Sequence, residues 1–372
     1  MQFKNVIGQT ALKRDLIREI QQEKISHAQL FLGRAGHGGL PLALAFTQYL
    51  FCENRGAEDS CGVCSSCLKV NDLQHPDVHF CFPVVLADNK LCDPLIPRWR
   101  EQIRKEPYFN LYDWNKAIDL KERSTTIGTE QSGELLRKLS LKSYEGGYKV
   151  MFIWMAEQMN PTFANKILKI LEEPPAKTLF FLFSEAADKL LITIRSRTQI
   201  VRVPKIDTDE LSKFLMLSHQ LDPQKALALS TFSEGDYINV LDAIEHAEEK
   251  GSYTEWFIQM MRTSYKKDVH GMMKWADEMS RESKERQKLF LSYCLHMFRL
   301  SILTNYLGIE FVNASEAEIK FLKNFAPFIS GNNIREFIKT FNDGFYHLER
   351  NAQSKILFTQ LCFQTMRYIH VA

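Results

Sequence analysis

Apolar residues follow two regimes along this chain, and the change falls near residue 204. Before it, helical spacing alternates with short unbroken apolar runs. Leu12, Leu16, Ile17 and Ile20 predict a helix, and QLFLG (29–33) a buried strand ending on glycine. A helix follows at 40–52 and a strand at VHFCFPVV (78–85). Thr129 is the expected cap of a helix through Leu135, Leu136 and Leu139. KVMFIWM (149–155) has too few polar residues to face water on either side and predicts a fully buried strand. The clearest local signal comes next. Asn160 is a good N-cap, Pro161 suits the first helical position, Ala164, Ile167, Leu168 and Leu171 form one face, and Pro174-Pro175 ends the helix. LFFLFS (179–184) and QIVRV (199–203) predict two more strands around a short helical stretch, DKLLITIRSR. Buried strands alternating with helices predict an α/β domain with a parallel sheet covered on both faces.

After Pro204 the helical period runs to the end, broken at Ser233–Asp236. Trp256, Trp275, Phe290, Phe298 and Tyr306 fall inside these helices, and at that spacing they are expected in a core rather than on a base-stacking surface. Residues 86–128 are polar and proline-punctuated, and are expected to be an insertion with a helix near 97–105. Its Arg98, Trp99, Arg100, Arg104 and Lys105 make a short basic, aromatic patch; solvated loop charges are the expectation, and contact with DNA or a partner the alternative.

At 372 residues the chain has room for two or three domains. A net charge of +2 does not announce a protein that clamps nucleic acid alone. No run reaches the roughly 20 apolar residues that span a bilayer, and MQFKNVIGQT lacks the pattern of a secretory signal, so a cytoplasmic protein without membrane partners is expected.

The eight cysteines change the picture. Cys52, Cys61, Cys64 and Cys67 are spaced C-x8-C-x2-C-x2-C. Four soft donors in paired turns suit a tetrahedral Zn²⁺ with sulfurs at about 2.3 Å, and nothing in the spacing marks a vertex left open for catalysis. A structural zinc site is the expectation, and free or disulfide-linked thiols the alternative.

The loop after the first strand contains Gly33, Gly36, Gly38 and Gly39, the glycine frame of a phosphate-binding loop. Such a loop needs a lysine for the β/γ oxygens and a hydroxyl for Mg²⁺, and here those positions are Gly39 and Leu40. The strand 149–155 ends on Trp154 and Met155, where a nucleotide hydrolase carries the metal-binding acid. Loss of all three groups predicts that this loop does not hydrolyse ATP.

VIGQTALKRDLIREI…ISHAQLFLGRAGHGG, the four-cysteine module, MNPTFANKILKILEEPP and DKLLITIRSRTQIVRV together resemble the AAA+ clamp-loader subunits of bacterial DNA polymerase III. The likeness covers most of residues 1–204 and continues more weakly beyond. Within that family the missing groups are similar to the delta-prime branch rather than to the ATP-binding tau/gamma branch. The resemblance implies an AAA+ domain at 1–204 with the zinc module (52–67) and the insertion (86–128), a small helical lid at 205–247, and a helical collar at 248–372 that joins sister subunits. It implies tau/gamma and delta subunits as partners, and the sliding clamp and primed DNA through the assembled complex. Ser196-Arg197-Thr198 matches the family's Ser-Arg-Cys segment, so Arg197 is implied to reach a neighbouring subunit's ATP in trans, with Thr198 departing from the pattern. Ser184 matches a phosphate-sensing position and Glu172-Glu173 a helix end expected to be structural. An ATP-hydrolysing tau/gamma-type subunit, and a zinc enzyme or free-standing DNA-binding protein, are the competing readings.

Overall fold

A computed structural model describes residues 1–118, 124–245, 250–309, 312, 314, 316–350 and 352–371. They divide into two compact units, Met1–Asp242 and Ala243–Ala372. Among the described residues, no helix is long and apolar enough to cross a membrane.

The first unit is built on five parallel strands: β1 (Ala28–Leu32), β2 (Val78–Cys81), β3 (Lys149–Ile153), β4 (Thr178–Ser184) and β5 (Gln199–Arg202), in the order β2-β3-β4-β1-β5. Leu30 pairs with Leu182 and Ile200, and Phe152 with Phe80 and Phe181. Every residue of β3 and β4 is buried, which is why those segments read as continuous apolar runs. Lys149 at the start of β3 is buried too, and its ammonium is satisfied by the carbonyls of Leu139 and Leu141.

Helices fill the connections: α1 (Thr10–Gln21), α2 (Gly39–Phe51), α3 (Ser65–Asn71), α4 (Ile96–Lys105), α5 (Leu111–Ala117), α6 (Thr129–Ser140), α7 (Pro161–Glu172) and α8 (Ile192–Arg195). In α7 the Asn160 carboxamide accepts the Phe163 N–H at 2.7 Å, and Phe163, Ala164, Ile167 and Leu171 are buried. Two local expectations are corrected. The strand expected over 78–85 stops at Cys81, ahead of Pro83, which has no N–H to donate to a ladder. Val84 instead makes an isolated antiparallel bridge with Thr126. Thr129 does not cap α6: Gly128 occupies the N-cap, and the Thr129 hydroxyl accepts from the Asn160 carboxamide at 3.1 Å.

The described part of the insertion is packed in part and solvated in part: Arg98, Arg104 and Lys105 are exposed, as expected, and Trp99 is not. Trp99 of α4 is fully buried, stacked on Phe82 at 4.4 Å between ring centres and ringed by Phe109, Trp114 and Trp154. Arg98, Arg100 and Arg104 donate to the carbonyls of Ala117, Leu73 and Asp72 at 2.8–2.9 Å. Trp99→Ala would open a cavity in this cluster, and a loss of about 3–5 kcal/mol is expected, read as a lower urea midpoint at unchanged slope.

The remaining helices of the first unit are α9 (Thr208–Ser218), α10 (Pro223–Phe232) and the start of α11 (Tyr237–Glu245). Asp207 and Asp222 cap α9 and α10 through their carboxylates. The second unit holds α12 (Lys250–Tyr265), α13 (Val269–Ser280), α14 (Lys284–Leu307), α15 (Glu316–Phe325), α16 (Ile334–Glu349) and α17 (Ser354–Ile369). Here α13 packs along α17 and α14 along α16. Trp275, Phe290 and Phe298 lie in its core, as helical spacing predicts, and Trp256 packs against it partly buried. Tyr306 does not: it is 74% exposed at the end of α14, where the helix runs past the core.

Candidate functional site

The glycine loop leaves β1 at Gly33, whose N–H donates to the Ser184 carbonyl at 3.2 Å. A single 3-10 turn, Ala35–His37, leads to Gly38 at φ 93°, a left-handed conformation that favours glycine, and α2 begins at Gly39. In a phosphate-binding loop these backbone N–H groups face the ligand. Here one of them already has a partner from the chain itself, and two other side chains crowd the loop. The Glu185 carboxylate accepts the Ala35 N–H at 2.8 Å. Asp236, from the break before α11, lies so close to Gly36 that a Cβ there would sit 1.7 Å from its Oδ1. Tyr108, from the insertion, lies over Gly38, and its hydroxyl accepts the Ile7 N–H at 2.8 Å.

The space beside the loop, lined among others by Arg34, Pro107, Phe109, Trp154 and Met155, is about 20 Å³. That is room for about one water molecule. Trp154 and Met155 are buried where an acid would hold Mg²⁺. Ser184 is also buried, and its hydroxyl accepts the Ala186 N–H at 3.2 Å, closing the turn after β4. Burial pushes the Asp236 carboxyl above the usual carboxylate range, against the pull of His37 and of Arg34, 4.0 Å away. Gly36→Ala is expected to destabilise the first unit by roughly 1–3 kcal/mol through overpacking, and Asp236→Ala in the same chain to restore most of it; thermal melts of the four-member cycle check this.

Cys52 ends α2, Cys61 and Cys64 lie in the turn that follows, and Cys67 is one turn into α3. All eight cysteines are unbridged. The four sulfurs of the module lie within 4.8 Å of one another, with Cys61 and Cys67 Sγ 3.9 Å apart. A tetrahedral ion with sulfurs at about 2.3 Å needs them roughly 3.8 Å apart, so the set fits a metal ion. The thiols are shifted in opposite directions: the N–H groups of Val63 and Cys64 draw Cys61 down to about 6, while burial pushes Cys52 up and Cys67 up to about 12. Gly62, at φ 76°, makes the turn. The adjacent acid, Glu53, faces away onto the Ser66 hydroxyl at 3.2 Å, so the four thiols stand as a set. Asp59 anchors the module by accepting the N–H groups of Phe3 and Lys4 at 3.0 and 2.9 Å.

Arg197 follows α8 on the approach to β5 and is about one-third exposed. Its guanidinium donates to Glu172 Oε1, through Nε at 2.6 Å and through a second nitrogen, and to the Thr193 carbonyl at 2.8 Å. Glu172 ends α7, and from that position its carboxylate receives the arginine. Arg195 differs, with its Nε buried and unpartnered. The contacts of Glu172, Tyr108, Glu185 and Asp236 escape sequence reasoning because each meets its partner across the fold. Only the break at Ser233–Asp236 is a local signal.

A five-stranded parallel sheet in the order β2-β3-β4-β1-β5, with a glycine loop leaving β1 and helices in the connections, defines an α/β domain of the nucleotide-hydrolase type. The family described as DNA polymerase III, delta subunit, matches residues 8–207, more than half of the chain, and the chain belongs to that family. Its relatives there are delta-prime subunits. That of Bacillus subtilis (strain 168) is 25% identical over 299 residues, covering 79% of this chain and 77% of that protein. That of Escherichia coli (strain K12) is 25% identical over 288 residues, covering 69% and 74%. The Bacillus subtilis tau subunit is 21% identical over 379 residues, covering 96% of this chain and 60% of tau. Among solved structures, a gamma subunit-related protein of Thermotoga maritima has a TM-score of 0.39 at 14% identity, covering 96% of this chain and 99% of that one.

Proposed function

We propose that this chain is a non-hydrolysing, delta-prime-type member of the clamp loader, a fixed part of a ring whose ATP is bound by tau/gamma neighbours. The observation that carries this reading is the glycine loop closed by Glu185, Asp236 and Tyr108, with about 20 Å³ left beside it. Carboxylates stand where a nucleotide would bring phosphate, so a triphosphate would meet negative charge as well as filled volume. The absent lysine, hydroxyl and acid fit the same reading.

Arg197 is the residue this chain would offer to a neighbour. A guanidinium carries its charge at any working pH and presents a planar fork to phosphate oxygens. Glu172 holds that fork outside the domain core, and exchange of its carboxylate for a γ-phosphoryl group in a neighbouring site conserves the charge pairing. Cys52, Cys61, Cys64 and Cys67 would hold zinc, which supplies a tetrahedral cross-link and no chemistry. Residues 1–204, 205–247 and 248–372 would act as AAA+ domain, lid and collar, the collar joining tau/gamma and delta subunits, with sliding clamp and primed DNA engaged by the assembled ring.

Reconstitution with candidate tau/gamma and delta subunits tests this. Clamp- and DNA-stimulated ATP turnover is expected only when the chain is present. Equal turnover without it would contradict the proposal.

A further inference from the structure

The second unit carries a groove that neither the glycine loop nor Arg197 uses. It lies between α12, α15 and the end of α17 and has a volume of about 500 Å³, the size of a ligand-binding cleft. Met261, Phe321, Phe325 and Phe328 form its apolar floor. The rings are ordered against one another: Phe321 stacks on Phe325 at 4.9 Å, and Tyr265 meets Phe328 edge-on at 5.1 Å.

Arg262, Lys266 and Lys320 stand on the rim, and the described lining contains no carboxylate. Some basic side chains elsewhere on this unit face acids: Arg281 and Lys355 meet Asp277, Arg286 meets Glu282, and Lys274 lies 4.0 Å from Glu278. None of the three rim cations has such a partner among the described residues. An apolar floor under an unpaired cationic rim is complementary to one chemistry, a bulky apolar group flanked by carboxylates. Single-stranded nucleic acid also combines flat rings with anions, but it needs open ring faces for its bases. Phe325 is only 5% exposed with Phe321 stacked on it, and Tyr265, half exposed on the lining, already has His370 stacked on it, so few ring faces stand open for bases.

We propose that this groove docks a short acidic segment of another protein, with leucine or phenylalanine side chains entering the aromatic floor and Asp or Glu carboxylates meeting Arg262, Lys266 and Lys320. Asn324 on the lining adds an amide able to pair with the segment's backbone. The docking is independent of the reading of the nucleotide loop, because every residue it uses lies in the second unit.

The test is fluorescence anisotropy of the full chain with a labelled probe peptide, Glu-Asp-Leu-Leu-Asp-Glu-Phe. Saturable binding is expected, weakened on the order of tenfold when Asn and Gln replace its acids, and again when salt is raised. Arg262→Gln with Lys320→Gln should weaken it by a similar factor. Ala317→Trp, which fills the groove from an exposed helix position without touching charge, should abolish it. Thermal melts matching the wild type confirm that each variant folds. The proposal is overturned if the probe fails to bind at about 1 mM, beyond the range of specific peptide docking. It is equally overturned if the groove variants bind like the wild type, or if oligothymidylate binds at this groove and the peptide does not.

Discussion

In a reconstituted ring, Arg197→Ala is expected to slow ATP turnover at the neighbouring site by on the order of 10³-fold or more, while the ring still assembles. The magnitude is that of a guanidinium stabilising charge on a γ-phosphoryl group as it transfers. Assembly should survive, because among the described residues the Arg197 side chain hydrogen-bonds Glu172, Ser196 and Thr193 of its own chain and is partly exposed. Arg197→Lys should recover little, since a point charge cannot offer the fork. Glu172→Gln separates holding from chemistry. It leaves the guanidinium intact but weakens its tether, so a modest fall in turnover is expected, far short of the alanine effect. Single-turnover ATP hydrolysis, with assembly followed by gel filtration, checks all three. Unchanged turnover in Arg197→Ala would remove the trans-arginine role and leave the fold untouched.

Removing the metal should be felt as stability, not as chemistry. Four thiols from the end of α2, the following turn and the start of α3 would be joined by one ion, and losing it would free that turn from both helices. Isolated zinc modules unfold without metal, but here Asp59, Gln2 and Gln21 also fasten the segment to the body by hydrogen bonds. A loss of about 3–4 kcal/mol is therefore expected on chelation or in Cys67→Ser. For a body of this size that is a drop of roughly 10 °C in melting temperature. Elemental analysis should find one zinc per chain in the wild type and none in Cys67→Ser. A chain that melts identically with and without chelator would show that the four thiols are a coincidence of packing.

The sheet was legible because parallel strands buried on both faces leave an unbroken apolar mark, as in β3 and β4, and α7 because its cap, first-turn proline and terminating prolines are all local. The cysteine module was legible for the same reason, since its ligands lie within a short stretch. What decides the state of the glycine loop was not. Tyr108 and Asp236 reach Gly38 and Gly36 from distant parts of the chain, and no periodicity marks a side chain that closes a loop across the fold. The insertion misled in the same way. Trp99 gave no local sign of the aromatic cluster around it, and although Arg98 and Arg104 are exposed as expected, nothing local marks the backbone carbonyls that they and Arg100 bind. Tyr306 shows the converse, a helical aromatic whose spacing says core but whose helix has outrun it.

The central claim is that the chain retains the frame of a nucleotide hydrolase and has filled its site. Equilibrium dialysis of the purified chain against radiolabelled ATP with Mg²⁺, with product analysis of the retained nucleotide, tests it most directly. The account predicts no saturable binding and no ADP formed; a stoichiometric complex that turns over, and is lost when the glycine loop is altered, would contradict it.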